Sequence, residues 1–247
     1  MTKMNWDESH ALDKLAQLSI KTGVALQPGQ DLLITAPMEA APLVRRLAHH
    51  AYKAGAGLVT PFYTDPEITL ARYQHAAPEA FDKTTDWLFE GMAAAFDKNT
   101  ARLAVVGEDP MLLSGQNPEY VGRANQAMSK ASSPLRERIT RFDINWNIIA
   151  WPGLQWAKLV FPQMSDADAQ IALAEAIFNA SRVNTSDPNE AWAVHHKNLR
   201  ARTEWLNKKN FAALHFYGEG TDLTVGLADG HEWMGGASTA RNGVTCN

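Results

Sequence analysis

The sequence lacks several features that would assign a protein to a specialised class. Its 247 residues include a single cysteine, Cys246, so an intrachain disulfide cannot form, which suits a reducing compartment. No apolar run approaches the roughly 18 residues that a membrane-spanning helix needs. The N-terminus leads into a polar helical pattern and not into the apolar region of a signal peptide. Together these absences predict a cytoplasmic protein.

The charge balance excludes a strongly basic protein. The formal net charge is −4 at pH 7, so nucleic-acid binding through the release of counterions has no compositional support. Hydrophobic residues make up 45% of the chain and charged residues 20%, which is typical of a globular protein that buries a real core. The sequence has no internal repeat and no low-complexity segment.

The glycine-rich loops that bind nucleotides are absent as well. Neither G-x-G-x-x-G nor G-x-x-x-x-G-K-[ST] follows a strand-like segment. Gly107 does follow one, but Glu108 and Asp109 come directly after it and would repel a phosphate. Gly55 and Gly57 stand between a helix and a strand, as C-cap glycines do. A dinucleotide site is therefore not expected.

What the sequence does contain is an alternation of short apolar runs with helical patterns. Four runs have the length and continuous hydrophobicity of strands that are covered on both faces, and they lie at 32–34, 58–60, 103–106 and 148–150. Pro61 suggests an edge or strand-end position for the second run. The alternation predicts an α/β protein with a mostly parallel, doubly wound sheet and helices on both faces.

The helix starts are marked by capping residues. A cap, a proline and then an acidic or polar residue begin three of the predicted helices, and Ser165 begins a capping-box variant. The first helix is expected to be capped by Asp7 or Ser9 and to end at Gly23 as a C′ glycine. The three cap-proline pairs are Asp65-Pro66, Asn117-Pro118 and Asp187-Pro188.

The last part of the chain has a different pattern. A long helix from Asp187 to about Lys209 is followed by two or three strands, with turns at 218–220 and at Asp229-Gly230. Predicted strands include 223–225 and 232–234. The meander has too few strands to complete an independent sheet, which predicts that the chain is the front part of a larger protein. We place the domain boundary near residue 184 and expect residues 214–247 to fray or to self-associate.

No catalytic, cofactor-binding or metal-binding residue can be assigned from the residues themselves. The pairs His49-His50 and His195-His196 are adjacent on helices, so their side chains diverge by about 100°. The segment 231–235 begins like a zinc-protease helix but has glycine where the second histidine must stand. Cys246 has no activating partner nearby in the sequence. We interpret these histidines and Cys246 as ordinary side chains that lie at the surface or pack in the core.

The excess of tryptophan admits two interpretations. Three of the eight tryptophans cluster around the fourth predicted strand and the turn after it, at Trp146, Trp151 and Trp156. Large aromatic side chains at such positions are more often part of the core, and an interface is the main alternative.

Several segments nevertheless resemble one family of enzymes. They are NIIAWP at 147–152, WAKLVFP at 156–162, GTDLTVGL at 220–227 and HEWMGGAS at 231–238. Their succession is similar to that in the thermophilic-type metallo-aminopeptidases, the aminopeptidase T and aminopeptidase S family, and the similarity covers the whole chain. The resemblance implies an N-terminal α/β domain, residues 1–183, and in residues 184–247 a connecting helix and the first strands of an incomplete metallopeptidase domain.

The resemblance also implies a chemistry. Such enzymes use two divalent metal ions, here zinc, cobalt or magnesium, to remove N-terminal residues from a peptide substrate, and a homodimer is expected. The first ligating glutamate of the family follows the segment matched by 235–247, so no metal ligand is carried over to this sequence. The chain alone is predicted to be inactive. The alternative is a non-catalytic α/β module that binds a small ligand at the strand ends near Ala36, Tyr63, Gly107 and Trp151.

Overall fold

The computed structural model describes residue 6 and residues 10–247, and its centre is a parallel four-stranded sheet. Each of the four runs expected to form strands does so, which confirms the predicted α/β architecture. The spatial order is β2-β1-β3-β4. The strands are β1 Leu32–Pro37, β2 Val59–Thr64, β3 Ala101–Val106 and β4 Trp146–Ala150.

Helices pack on both faces of this sheet. Leu32 and Ile34 of β1 point to one face of the sheet and are fully buried in the larger of two cores. The helices on that face supply other side chains of this core. Leu33 points the other way and packs in a second core with Met92 and Phe96. The helices are α1 His10–Leu18, α2 Ala41–Lys53, α3 Pro66–His75, α4 Asp86–Asp97, α5 Pro118–Ala131, α6 Ser133–Thr140, α7 Leu154–Val160, α8 Asp166–Ala180 and α9 Pro188–Lys209.

The predicted capping residues form the expected hydrogen bonds. Asp65, Asn117 and Asp187 each accept a backbone N–H from two residues further on, at 2.8–2.9 Å, and the Ser165 hydroxyl accepts the Asp168 N–H at 3.3 Å. The proposed caps of α1, Asp7 and Ser9, lie outside the described residues. The short helix α7 was not predicted, because seven residues are too few for a helical repeat to stand out.

Gly23 does not end the first helix in the predicted way. The chain continues from α1 into one π-helical turn, Ser19–Gly23, and Gly23 does not have a positive φ. Glycine is needed there for a different reason. A Cβ atom at this position would come within 2.7 Å of the Asn147 carboxamide oxygen, so the glycine allows the π turn to lie against β4.

The β2 edge of the sheet is protected from further pairing. The Leu32 N–H donates to the Leu58 carbonyl, which fixes which residues of β2 bond to β1. The backbone N–H and C=O groups of Val59, Pro61 and Tyr63 therefore point away from β1, toward the open side of the sheet. Pro61 has no N–H, and the Val59 N–H donates to the Tyr52 hydroxyl at 3.2 Å. The edge position suggested by Pro61 is thus confirmed, and the proline blunts that edge.

The predicted C-terminal meander is only partly present. The strands β5 Ala213–Gly218 and β6 Thr221–Gly226 form the expected antiparallel hairpin, with Gly220 at a φ of 72°. The third predicted strand, 232–234, is wrong. The Asn207 side chain donates to the Trp233 carbonyl and accepts the Trp233 N–H, at 2.9 and 2.6 Å, so these backbone groups bond to α9 and not to a neighbouring strand.

The last ten residues return to the sheet. The two-residue strands β7 Ser238–Thr239 and β8 Thr245–Cys246 pair with each other, and Ala240 and Cys246 are only 3% and 4% exposed. This burial places the segment against the rest of the fold, and the expected fraying or self-association of residues 214–247 stays a prediction.

A buried cluster of amide side chains holds this segment in place. The Asn145 carboxamide, fully buried, donates to the Val24 carbonyl at 2.6 Å and accepts from Gln30 at 2.7 Å. It also accepts from Asn242 at 2.9 Å, and Asn242 donates a further bond to Asn99 at 2.8 Å. Gln30, Asn99 and Asn145 precede β1, β3 and β4, so the cluster lies at the amino ends of the strands.

Replacing Asn145 should therefore be costly. Asn145→Ala leaves the buried donors and acceptors of Gln30, Val24 and Asn242 without this partner, so we expect the free energy of unfolding to fall by about 2–3 kcal/mol. Urea unfolding of the variant measures this loss. Asn125→Ala, at an exposed position of α5, is the matched control and should change stability by no more than ~0.5 kcal/mol. Equal stability of the two variants would contradict a stabilising role for the cluster.

No helix in the described part of the chain is both long enough and apolar enough to cross a membrane.

Candidate functional site

A cleft of about 520 Å³ opens where the parallel strands end. It lies between the segments that follow β1 and β3, because the strand order reverses there and the two following connections leave on opposite sides. Glu39 follows β1 on one side, and Glu108 follows β3 on the other. Asp65, Glu67 and Asp109 add three more carboxylates to the lining. The cleft therefore has a strongly acidic rim.

Close backbone contacts join the loops that lie next to the cleft. Gly107 follows β3 and lies against the Trp151 carbonyl, and Gly153 lies against the Gly107 carbonyl. A Cβ atom at either glycine would overlap the facing backbone. A Cβ atom at Gly153 would also lie 2.8 Å from a Glu39 carboxylate oxygen. Glycine at this position therefore leaves room for the Glu39 side chain. The glycines bring the loops after β3 and β4 together beside the acidic rim.

Several of the carboxylates are oriented by backbone N–H groups. Asp65 caps α3 by accepting from Glu67, and Asp109 accepts from Met111, both at 2.8 Å. The Glu108 carboxylate accepts from Gly107 at 3.1 Å. Desolvation and, secondarily, the negative charge of Glu108 raise the pKa of Glu39 above its ordinary value. Such a rim favours cationic or protonated groups and disfavours phosphates.

The histidines do not converge on one point. His50 bonds to Asp13 at 2.9 Å, and His215 bonds to Asp222 across the β5–β6 hairpin at 2.7 Å. His196 pairs with the Asn247 side chain at 3.0 Å, and His231 with the Ala228 carbonyl at 2.8 Å. Among residue 6 and residues 10–247, no group of three or more His, Cys, Asp or Glu side chains is arranged to hold a metal ion.

Cys246 is also placed unfavourably for nucleophilic chemistry. It is buried in β8, and this burial raises the pKa of its thiol, an effect that the Trp146 backbone N–H only partly offsets. A raised pKa keeps the sulfur protonated and unreactive at neutral pH.

Comparison with known proteins identifies the family. A sequence model described as thermophilic metalloprotease (M29) matches residues 8–247. The chain belongs to the thermophilic metalloprotease (M29) family. This assignment agrees with the resemblance of the segments at 147–162 and 220–238.

Individual relatives are similar over almost the whole chain. Aminopeptidase T of Thermus thermophilus is 47% identical over 236 residues, which are 96% of this chain and 58% of the relative. Aminopeptidase 2 of Geobacillus stearothermophilus is 36% identical over 242 residues, 98% of this chain and 58% of that protein. The solved structure of wild-type AmpT from Thermus thermophilus superposes with a TM-score of 0.91 at 46% identity, covering 96% of this chain and 58% of that one.

The chain thus spans 58% of the length of each of these relatives. A metalloprotease family implies divalent metal ions, but the donor side chains that the structure describes do not fit a two-metal centre. No three of the described His, Cys, Asp and Glu side chains form a metal-binding group, and His50, His196, His215 and His231 each bond to another protein group. The carboxylates of the cleft do not form a metal-binding group among the described residues.

The strand ends at which the sequence suggests a small ligand lie next to the cleft but do not line it. None of Ala36, Tyr63, Gly107 and Trp151 is among its lining residues, whereas Glu108 and Asp109, expected only to repel a phosphate, are. Glu39 was missed, although an acidic residue soon after the first predicted strand was a usable signal. Membership of a metalloprotease family does not favour the alternative of a non-catalytic binding module.

The shifted pKa of Glu39 predicts a small dependence of stability on pH. The folded state holds the Glu39 proton more tightly than the unfolded chain, so ionisation lowers stability as the pH rises above 4.5. Glu39→Gln should raise the melting temperature at pH 7 by about 1 °C, and the difference should vanish near pH 3.5. Calorimetry at both pH values measures this, with Glu90→Gln on α4 as the control. A lower melting temperature at pH 7 would refute the desolvation argument.

Proposed function

We propose that this chain forms the N-terminal part of a metal-dependent aminopeptidase that hydrolyses N-terminal residues from peptides. The observation that carries the proposal is the match of residues 8–247 to the metalloprotease family, together with 47% identity to an aminopeptidase T. The complete enzyme would use two divalent ions, such as zinc, cobalt or magnesium. A reducing, cytoplasmic location suits the single cysteine.

In this proposal the described residues form the scaffold, and the metal donors lie elsewhere. The support is the lack of a donor group within the described part of the chain and the 42% of the length of the relatives that this chain does not match. We place an α/β domain at residues 1–183. Residues 184–247 supply the connecting helix α9 and the first strands of the metallopeptidase domain.

The β5–β6 hairpin supports this division. Every residue of the two strands is exposed except Leu214, which is partly exposed. Phe216, Tyr217, Leu223 and Val225 are 41–83% exposed, an unusual density of uncovered apolar side chains for one hairpin. A lone two-stranded hairpin is marginally stable, so further polypeptide would have to cover it. Association of two copies through this hairpin, giving the expected homodimer, is part of the proposal.

The first test is an activity measurement. The 247-residue protein should show no aminopeptidase activity with added cobalt, zinc or magnesium, because its donor side chains are scattered. Hydrolysis of an aminoacyl-anilide by the purified protein is compared with a metal-only blank, and aminopeptidase T serves as the positive control. Activity that is well above the blank and survives repurification would contradict the proposal that the metal-binding side chains lie outside these residues.

The second test concerns the hairpin. In a demonstrated monomer, the amides of 223–226 should exchange with solvent much faster than those of 103–106, because the hairpin shares little buried surface with the sheet. Protection that rises with protein concentration would support pairing of two copies through the hairpin. If the amides of both segments exchange equally slowly in a monomer, the hairpin is stable without a covering partner. That result would count against the proposal that residues 184–247 begin a second domain.

A further inference from the structure

The turn between β7 and β8 contains a chemically labile pair, Asn242-Gly243, the one Asn-Gly pair of the sequence. The backbone nitrogen of the next residue can attack an asparagine amide, and glycine hinders that attack least because it has no Cβ. Asparagine is for this reason counted among the thermolabile residues of proteins. Gly243 is exposed and has a φ of 85°, so the pair is in contact with solvent.

In the folded chain, hydrogen bonds engage the whole Asn242 side chain. Its amide nitrogen donates to the side-chain oxygens of Asn99 and Asn145, at 2.8 and 2.9 Å. Its side-chain oxygen accepts the Val244 N–H at 3.1 Å. The amide that would react is therefore part of the buried cluster at the amino ends of the strands, and it must leave this cluster before its carbon can approach the Gly243 nitrogen.

The backbone nitrogen of Gly243 is engaged as well. The Gly243 N–H donates to the Ala240 carbonyl, and the Ala240 N–H donates to the Val244 carbonyl, both at 2.9 Å. To react, the Gly243 nitrogen must lose the proton that it shares with the Ala240 carbonyl. Deamidation therefore requires that the turn open in addition to the loss of the side-chain bonds.

The product of deamidation does not fit the cluster. The reaction replaces the Asn242 amide group, a donor, by a carboxylate, which only accepts. The acceptor oxygens of Asn99 and Asn145 would then face a negative charge. Asn145 cannot turn its own amide N–H towards that charge, because this group donates to the Val24 carbonyl at 2.6 Å and the side chain is fully buried. A deamidated chain therefore cannot rebuild the cluster.

Loss of the cluster would also affect Cys246. The turn joins β7 to β8, and Cys246 in β8 is only 4% exposed. Cys246 is the single cysteine of the chain, so the rate at which a thiol reagent modifies the protein reports whether residues 238–247 lie against the rest of the fold.

We propose that Asn242 is a deamidation site that the buried amide cluster protects, and that its reaction irreversibly releases residues 238–247 from the amino ends of the strands. The Gly243 nitrogen attacks Asn242 Cγ and gives up its proton, and the side-chain nitrogen leaves as ammonia. The resulting succinimide adds one water molecule and opens to aspartate or isoaspartate. Water is the one co-reactant. The modification uses no residue of the acidic cleft and is independent of the proposed hydrolysis.

The first test measures deamidation of the 247-residue protein in mildly alkaline buffer by peptide mapping with mass spectrometry. We expect Asn242 to react at least about tenfold faster in guanidinium chloride than in the folded protein, because only the folded chain must break the cluster bonds first. Asn125, which glutamine follows and which is exposed on α5, is the control site and should react slowly under both conditions.

Two variants connect the reaction to the cluster. Asn145→Ala removes one acceptor of the Asn242 amide and should speed deamidation of the folded protein by about threefold or more, with no change in guanidinium chloride. Asn242→Asp introduces the carboxylate directly and should make Cys246 react with Ellman's reagent at least about fivefold faster. Asn125→Asp is the matched control and should leave the rate at Cys246 unchanged.

Circular dichroism establishes that each variant is folded. If Asn242→Asp does not fold, the original protein is allowed to deamidate, and the deamidated fraction is separated by ion exchange. The rate at which its Cys246 reacts then replaces that of the variant. If Asn145→Ala does not fold, the comparison of folded and unfolded original protein still decides whether Asn242 is protected.

Four results would overturn the proposal. Equal rates at Asn242 in the folded and unfolded protein would show that the cluster gives no protection. An Asn242 that stays intact in guanidinium chloride would show that the pair is not reactive. A folded Asn145→Ala variant that deamidates at the original rate would show that the cluster is not the protecting element. An unchanged rate at Cys246 after deamidation would show that residues 238–247 are not released.

Discussion

The position of β1 in the middle of the sheet determines the rest of the described structure. Leu32 and Ile34 are fully buried on one face of it and Leu33 is 7% exposed on the other, so β1 must be covered from both sides. The chain pairs β2 on one side of β1 and then crosses to place β3 on the other. This crossing opens the acidic cleft at the carboxyl ends of the strands. It also leaves β2 and β4 as the two edges, of which β2 is blunted by proline.

The elements that the sequence predicts well are those with strong local signals. Continuous apolar runs identify β1 and β3, and Pro61 identifies an edge strand because a proline cannot donate to a neighbouring strand. The pairs Asp65-Pro66 and Asp187-Pro188 mark helix starts because their side chains satisfy the first free N–H groups. In each case the physical cause acts within a few residues, so that it can be read from the sequence alone.

Other features depend on contacts between distant residues and could not be predicted in this way. Asn145 bonds to Gln30 and Asn242, which are 115 and 97 residues away along the chain, and no local pattern reveals that cluster. The strand expected at 232–234 is replaced by bonds to the Asn207 side chain of α9. Gly23 was interpreted as a helix end, whereas its role is to leave room for Asn147. Glu39 and Glu108 meet in the cleft only because the strand order reverses between them.

Family membership and the described geometry are separate findings. The sequence similarity assigns the chain to the thermophilic metalloprotease (M29) family, and among the residues that the structure describes no group of three or more His, Cys, Asp or Glu side chains is arranged to hold a metal ion. The acidic cleft and the buried amide cluster are features of this scaffold that the family name does not explain. The β5–β6 hairpin exposes four large apolar side chains, Phe216, Tyr217, Leu223 and Val225.

The metal content of the 247-residue protein decides whether its own side chains can form a metal centre. The protein is stripped with a chelator, dialysed against zinc or cobalt, and then analysed for bound metal and by calorimetric titration. We expect no stoichiometric, tightly bound ion, because the described side chains do not form a donor group. Two tightly bound divalent ions per chain would contradict this expectation and would show that the metal centre is built from these residues.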